Sequence, residues 1–556
     1  MRLENPTDGT SVTPYPTKIV IADSLPDSAA GLLRQMGWKV DARARRSREE
    51  LLQDLKDADG LIVRSNTQVD AELLASAPQL KIIARAGTGV ENIDVRAASA
   101  RGILVINAPG ANSVSVAEHT CALMLALGRS IARADTAMKQ GQWTKKELVG
   151  IELRGKALGL VGLGRVGQGV AFRARAFGMH VVAHDPYISE QLARSLDVEL
   201  LTLDELCAQS DFVSLHAPLT ATTRRMFDAK QLAKCKYGAQ LINTSRGDLI
   251  DESALVDAIE SGQIGGAGLD VFECEPPIDS RLIALPQVVA TPHIAGSTQE
   301  AQQLVGTETA AGIRDYLQLG IVQNAVNFPS MPLEELKRLQ PFVDLAEKLG
   351  AFIAQLATGR TQTVSIRYYG GLTTGNNEPL VGAVLKGLFQ TMLSSTVTLI
   401  NARSVAEARG VDVVESRSPR PRNFTNLLAV KLDTSNGELW VEGANFEHGG
   451  ARIVLLDGVE IEAGLEGTHI VIRNLDEPGV VGTVGSILAE GGVNIASFAL
   501  GRGPAGAVSV ISIDDSMDSG KRDLDEGLLD TLRAVPAIRS AQLVRLYDSW
   551  LGKNLE

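Results

Sequence analysis

The chain has 556 residues, 44% of them apolar and 22% charged, and its formal net charge is −12. At about 150 residues per domain the length suggests three or four domains rather than one core, and the acidic balance argues against general nucleic-acid binding, which needs a basic face. No window reaches the roughly 18 uncharged apolar residues of a membrane span, and the start, MRLENPTDGT, has neither signal-peptide nor transit-peptide character. The expectation is therefore a cytoplasmic protein with neither nucleic acid nor membrane as partner. Cys121, Cys207, Cys235 and Cys274 lie far apart in no metal-ligand spacing; they read as free thiols in a reducing compartment, and no metal is expected.

Residues 1–16, polar and punctuated by Pro6, Pro14 and Pro16, read as a disordered leader. An alternation of strands and helices follows: Lys18 to Asp23, a helix, Gly60 to Arg64, a helix, Lys81 to Ala84, then Ile103 to Ile106. Short apolar strands separated by helices predict a parallel sheet wrapped by helices. One long amphipathic helix, about Ser115 to Lys139, leads to a second series of such units ending near Thr291. The helix after Ser297, with Ala301, Leu304 and Ile313, is expected to return to the first domain and close it.

The second series opens on GLVGLGRVG, Gly159 to Gly167. The apolar run Ala157 to Val161 predicts a buried strand, and Val166, Val170, Ala171, Ala174 and Phe177 fall at helical spacing. Gly162, Gly164 and Gly167 then form a dinucleotide fingerprint: the first permits the tight turn, the second lets backbone approach a pyrophosphate, and the third lets helix and strand pack closely. A helix N-terminus offers free N–H groups and a positive dipole end to phosphates. The next apolar run, His180 to His184, ends at Asp185, at the offset where a carboxylate accepts from the ribose hydroxyls and repels a 2′-phosphate. NAD is favoured over NADP. Asp185 also has a plain structural reading, as the cap of a turn before Pro186. The first domain is placed to form the opposite wall of a ligand cleft.

From Pro329 to Glu466, strands such as Thr363 to Tyr368 and Ala451 to Leu455 surround helical stretches without a fingerprint. Arg417, Arg420 and Arg422 make a short basic run with Pro419 and Pro421, readable as a solvated loop or an anion site. From Thr468 the pattern is strand (His469 to Arg473), helix (Gly479 to Glu490), strand (Asn494 to Leu500), strand (Val508 to Ile513), helix (Asp525 to Ala534), strand (Ala541 to Leu546). This βαββαβ order predicts a small, separable ferredoxin-like unit.

With a nicotinamide bound, the reaction class is hydride transfer, and the protein must hold a carbon–oxygen centre and manage its proton. Three residues qualify: Arg246 in INTSRGD, Glu275 in LDVFECEP and His293 in TPHIAGST, each following a strand-like run. Arginine's planar fork holds a carboxylate bidentately. Histidine titrates near neutrality and can take a hydroxyl proton. A glutamate bonded to it orients the ring and raises its pKa. Each alone could equally be a turn ion pair, a loop acid or a structural histidine.

Together LVGLGRVG, HDPY, NTSRGD, LDVFECEP and PHIAGST resemble the NAD-dependent D-isomer-specific 2-hydroxyacid dehydrogenase family, and VRSNT, ARAGTGVENID and NAPGANSVSVAEHT resemble its branch that oxidises 3-phospho-D-glycerate. The likeness covers about residues 18 to 325. It implies catalytic roles for Arg246, Glu275 and His293. It implies substrate binding by Arg64, Arg85, Gly87, Asn112 and Lys145, and cofactor contacts from Thr88, Arg165, Val166, Thr244, Ser245 and Gly296, with Asp270 on the nicotinamide carboxamide. Arg473 to Arg502 resembles an ACT domain, which implies an L-serine site at Asn474, Asp476 and Asn494. The middle segment resembles the regulatory intervening domain of the family's long form. The implied organisation is a disordered leader at 1–16, a substrate domain at 17–114 and 298–326, an NAD-binding Rossmann domain at 115–297, an α+β intervening domain at 327–466 and an ACT domain at 467–556. The implied activity is oxidation of 3-phospho-D-glycerate to 3-phosphohydroxypyruvate in serine biosynthesis, by a homo-oligomer expected to be a tetramer. Two rivals share the fold: a dehydrogenase for glycerate or hydroxypyruvate, and an NAD-sensing regulatory protein.

Overall fold

The computed structural model describes residues 16–43, 45–278, 280–329, 333–393, 397–420, 423–446, 450–514 and 526–546. The expected leader, apart from Pro16, lies outside them, as does Arg422. Two compact units emerge: Leu25–Ala29 with Ala108–Glu308, and the chain up to Ser24 with Ala30–Asn107 and Thr309 onward.

The second of these begins with a parallel sheet of β1 (Lys18–Ile21), β2 (Lys39–Asp41), β3 (Gly60–Val63), β4 (Ile82–Arg85) and β5 (Leu104–Asn107), in the order β2-β1-β3-β4-β5. Four of these strands were expected from their apolar runs; β2 was not, because a three-residue edge strand reading KVD carries no such run. The open side of β5 is closed by residues 324–327. Val326 N–H donates to the Val105 carbonyl at 2.8 Å. The Asn327 amide accepts from Val105 N–H at 2.8 Å and donates to the Ile103 carbonyl at 2.8 Å, standing in for a strand.

The other unit holds β6 (Ala157–Val161), β7 (His180–His184), β8 (Glu199–Leu200), β9 (Phe212–Leu215), β10 (Ala239–Asn243), β11 (Ile264–Leu269) and β12 (Val288–Ala290). All are parallel, in the order β12-β11-β10-β9-β6-β7-β8. The order reverses between β6 and β9, the switch point where ligands of doubly wound sheets lie. The fingerprint turn leaves β6 there. The single helix expected at 115–139 is two: α1 (Ser113–Gly128) and α2 (Ile131–Lys139), broken where Ser130 takes φ 50°. Burial separates them, since α1 buries eight residues among neighbouring elements and α2 buries none. The fingerprint helix is α3 (Arg165–Ala176), and α4 (Gln299–Leu319) ends in the unit of the five-stranded sheet, where Gly312 packs on Ile106 of β5 and Ile313 lies beside Gly60 of β3.

Beyond α4 come α5 (Leu333–Leu356), β13 (Thr361–Gly370), α6 (Glu378–Gln390), β14 (Asp412–Ser418), β15 (Asn426–Thr434), β16 (Gly437–Phe446), β17 (Gly450–Leu456) and β18 (Val459–Gly464). The sheet order is β14-β13-β15-β16-β17-β18, antiparallel except for β13 with β14. Helices α5 and α6 touch backbone to backbone: a Cβ on Gly350 would stand 2.1 Å from the Val384 carbonyl oxygen. The last sheet is β19 (Gly467–Asn474), β20 (Ile495–Gly503), β21 (Gly506–Ile513) and β22 (Ile538–Leu546), in the antiparallel order β20-β21-β19-β22, with α7 (Val480–Glu490) and α8 (Glu526–Arg533), as the βαββαβ pattern predicts. Alternation along the strands sorts two cores. Ile470, Ile472 and Ile511 join Val484, Leu488 and Leu532 under the helices. Val471, Val510 and Val544 face the other way and join α5 and the six-stranded sheet in one apolar cluster with Leu345 and Leu349. The expected separable unit is thus fused to its neighbour through a common core.

Candidate active site

The three fingerprint glycines stand in three different environments. Gly162 has φ 99°, and a Cβ there would lie 2.8 Å from the His216 carbonyl group. A Cβ on Gly167 would lie 2.3 Å from the Gly162 carbonyl oxygen, so helix and turn are packed as closely as backbone allows. Gly164, the N-cap of α3, faces open space. That opening at a helix N-terminus is where a pyrophosphate fits. Asp185, just past β7, accepts from Leu163 N–H at 2.8 Å through Oδ2, which ties it to the fingerprint loop, and from Tyr187 N–H at 2.9 Å through Oδ1, which caps the turn at Pro186. Arg165 is exposed and lies over Gly110 in the loop before α1, and Val166 is half-buried.

The chemistry-bearing residues sit on loops leaving β10, β11 and β12. Buried Asn243, at the end of β10, clamps the first loop: its amide nitrogen donates to the Arg246 carbonyl at 2.8 Å and its oxygen accepts from Ser245 N–H at 3.0 Å. Ser245 Oγ donates to the Ala217 carbonyl, and Thr244 is buried against Thr120 of α1, hydroxyl to hydroxyl at 2.9 Å. Gly247 lies flat on the Phe272–Glu273 peptide, where a Cβ would come within 1.9 Å. This crossing brings the Arg246 loop beside the Glu275 loop.

Glu275 Oε2 meets His293 Nδ1 at 2.7 Å, and Glu275 Oε1 accepts from Phe272 N–H at 3.1 Å. The His293 side chain is 53% exposed. The bond from Glu275, with its charge, raises the imidazole above its ordinary value of 6.5 against the opposing effect of burial. Burial alone would raise Glu275, but the His293 bond and charge, Phe272 N–H and Arg246 together bring it below the usual glutamate range. Arg246 also opposes protonation of His293. His216, behind the fingerprint, goes the other way: burial depresses it to about 4 and leaves it neutral. Of these two histidines at the carboxyl edge, burial disfavours the charged form of His216, whereas Glu275 favours the charged form of His293.

Asp270 is held by its surroundings. It is fully buried, Oδ1 takes the Thr291 hydroxyl at 2.6 Å and Ile294 N–H at 2.8 Å, and Oδ2 takes Ala295 N–H at 2.8 Å. Gly296 packs against Asn112, and Ser115 Oγ bonds Thr298 Oγ1 at 2.7 Å. Lys145 is exposed on a short turn, Lys145–Glu147, with no bond among the described residues to the His293 loop.

In the other unit, Val63 of β3 pairs in register with Arg85 of β4, which pairs with Asn107 of β5. Arg64 and Arg85 therefore stand on adjacent strand ends. Asn92 bridges the Arg64 and Thr67 carbonyls, and Asn107 donates to the Thr88 carbonyl at 2.5 Å. The Arg85 guanidinium folds over Gly87, where a Cβ would meet Nη1 at 1.7 Å. Ser115, Thr120, Asn243, Gly247 and Asn107 were missed by sequence reasoning. Ser115 could have been found from its spacing with Asn112 and His119 on one face of α1.

The implied serine residues do not converge within one chain. Asp476 pairs with Arg502 at 3.3 Å at the end of β19 that carries Asn474. Asn494 precedes β20 at the opposite end, bonded to Asp514 at 3.4 Å. The intervening helix α7 runs the length of the sheet, which separates them.

Residues 121–295 match the family described as D-isomer specific 2-hydroxyacid dehydrogenase, NAD binding domain, which makes this unit an NAD-binding dehydrogenase domain. Residues 338–457 match the D-3-phosphoglycerate dehydrogenase intervening domain. The chain is 40% identical over 530 residues to D-3-phosphoglycerate dehydrogenase of Methanocaldococcus jannaschii, covering 95% of this chain and 100% of that protein. It is 39% identical over 533 residues to the Synechocystis protein of the same name, covering 95% of each. A solved structure, the TT0316 protein of Thermus thermophilus, superposes with TM-score 0.52 at 38% identity over 56% of this chain and 100% of that one. The chain belongs to the D-3-phosphoglycerate dehydrogenase family. Among the described residues no helix is long and apolar enough to cross a membrane.

Proposed function

We propose that the chain oxidises 3-phospho-D-glycerate at C2 to 3-phosphohydroxypyruvate with NAD, the first step of L-serine biosynthesis. The observation that carries the reading is the 2.7 Å His293–Glu275 pair beside Arg246, on the unit that bears the dinucleotide fingerprint. NAD, when bound, supplies the acceptor for the hydride leaving C2. His293 takes the C2 hydroxyl proton through Nε2, because Nδ1 is engaged by Glu275, and the Glu275 carboxylate stabilises the imidazolium that results. Arg246 holds the substrate carboxylate as a planar fork. Arg64 and Arg85 are assigned to the substrate's anionic groups. L-serine is assigned to the C-terminal unit as effector, the working form is a homo-oligomer, and the location is the cytoplasm.

The test is NADH formation at alkaline pH with 3-phospho-D-glycerate beside D-glycerate, D-lactate and 2-hydroxyglutarate, with and without serine. Selective turnover of the phosphorylated acid is expected, lowered by serine. Equal or better turnover of an unphosphorylated acid would overturn the substrate assignment, and tight NADH binding without turnover would overturn the enzyme.

A further inference from the structure

His293 is a non-glycine residue in the left-handed region, φ 53°, a conformation that persists only where its surroundings impose it. Asp270 imposes it. The backbone N–H groups of three successive residues reach this residue: His293 N–H is shared between the Asp270 carbonyl oxygen at 2.9 Å and the Thr291 carbonyl at 3.0 Å, while Ile294 N–H ends on Oδ1 and Ala295 N–H on Oδ2, each at 2.8 Å. A carboxylate so buried needs every lone pair met. The carboxylate's third bond comes from the Thr291 hydroxyl, on Oδ1 at 2.6 Å.

That hydroxyl has a single hydrogen, and Asp270 takes it. Thr291 Oγ1 must then accept from its other neighbour, His119 Nε2, at 2.9 Å. The bond requires His119 to carry its proton on Nε2, which lies 3.6 Å from Asp270 Oδ1. The His119 side chain is 20% exposed and rises from α1, a helix packed into the core of this unit. The Glu275–His293 pair thus has a second histidine–carboxylate relay behind it, anchored on a different element.

We infer that His119 is a positioning residue for His293, acting through Thr291 and Asp270 to hold the loop of residues 291–295 in its left-handed turn. The inference rests on the proposed role of His293 in proton transfer. Gln places an amide N–H near the site of Nε2, Ala removes the donor, and Thr291→Val removes the relay hydroxyl at constant shape.

The experiment measures amide hydrogen exchange across residues 291–296, NADH affinity and the pH profile of kcat/KM for wild type, His119→Ala, His119→Gln, Thr291→Val and Asp270→Asn. His119→Ala and Thr291→Val are expected to exchange Ile294 and Ala295 at least about tenfold faster. Their kcat should fall about 10- to 100-fold, the scale of a 1 Å misplacement, with NADH affinity within about twofold of wild type. Their acid limb should move to lower pH as the hold of Glu275 on His293 loosens. His119→Gln should restore protection and profile, which a general packing role would not predict. Unchanged exchange and kcat in both His119→Ala and Thr291→Val would overturn the inference, as would an Asp270→Asn variant whose loss is entirely weaker NADH binding. Should His119→Ala fail to fold, Thr291→Val decides alone. His293→Ala separates the two ideas: it should lose turnover and keep Ile294 and Ala295 protected, and normal turnover there would sink the proposed function while leaving the exchange result to stand or fall by itself.

Discussion

The parallel sheet of the NAD-binding unit and the antiparallel sheets of the C-terminal part spend their buried residues differently. The NAD-binding unit buries polar groups among apolar strands, including Asn243, Thr244, Asp270, Ser214 and Thr120, and these hold loops at the carboxyl edge of the strands. The C-terminal part buries polar side chains too, Lys348, Asn377, Glu442, His469 and Asn474 among them, but its two sheets are also joined by one apolar cluster running from α5 through β13, β15 and β16 to β19, β21 and β22. Buried polar bonds specify the direction of a loop, at a desolvation cost that demands complete satisfaction. Apolar area is non-directional and welds elements together. The difference is between loops aimed by directional bonds and sheets joined through shared apolar area.

The largest effect that would test this contrast is His293→Ala. The side chain is half exposed, so its removal costs little stability, whereas loss of the proton acceptor should lower kcat by about 10³-fold or more. NADH titration and a thermal melt should both look like wild type; a melt lowered in step with activity would break the contrast. Leu349→Ala comes next and should do the reverse. Leu349 is fully buried in the shared cluster and packs on Gly443 of β16. The expected loss is about 2–5 kcal/mol, with NADH binding retained and both C-terminal sheets melting in a single transition. Two separate transitions would show that the shared core does not couple them.

A smaller effect concerns pH. His293 lies above 6.5 because Glu275 stabilises its protonated form. Oxidation needs the neutral ring, so kcat/KM should rise with pH through that raised value. In Glu275→Gln the imidazolium loses its negative partner, its pKa falls, and the rising limb should move to lower pH with maximal kcat reduced about tenfold, a difference of about 1.4 kcal/mol. A limb that stays in place would assign the titration to another group.

Much of this was legible in the sequence because parallel strands buried on both faces read as unbroken apolar runs. β6 and β7 begin and end where those runs do, and the fingerprint spacing located the switch point. What sequence could not show was three-dimensional closure. Nothing in the spacing of Asn243, Gly247 and Phe272 reveals that one loop lies on the other. Asp270 sits in a motif beside Glu275, and its enclosure depends on backbone N–H groups more than twenty residues away. The break at Ser130 was hidden because no proline stands at the bend; Ser130 itself takes the left-handed conformation, φ 50°. β2 was missed because an edge strand of three residues carries no periodicity. The resemblance assigned Asp476 and Asn494 to one ligand, and within one chain the length of α7 sets them at opposite ends of the sheet.

The smallest expected effect lies where the C-terminal sheet ends. Strand β22 is an edge, and unpaired edges invite further pairing. Here one side chain acts as the missing strand: Gln355 of α5 donates from Nε2 to the Arg545 carbonyl and accepts Arg545 N–H on Oε1, both at 3.0 Å. Its Nε2 also reaches the Ala351 carbonyl within α5 at 3.0 Å. Arg545 lies where water can replace these bonds, so Gln355→Ala should cost only about 0.5–1.5 kcal/mol. The informative readout is local: exchange at the Arg545 amide should quicken while Val544, in the shared core, stays protected. If Val544 opened together with Arg545, the edge bonds and the apolar cluster would be one cooperative element, and directional bonds would carry part of the weld here assigned to apolar area.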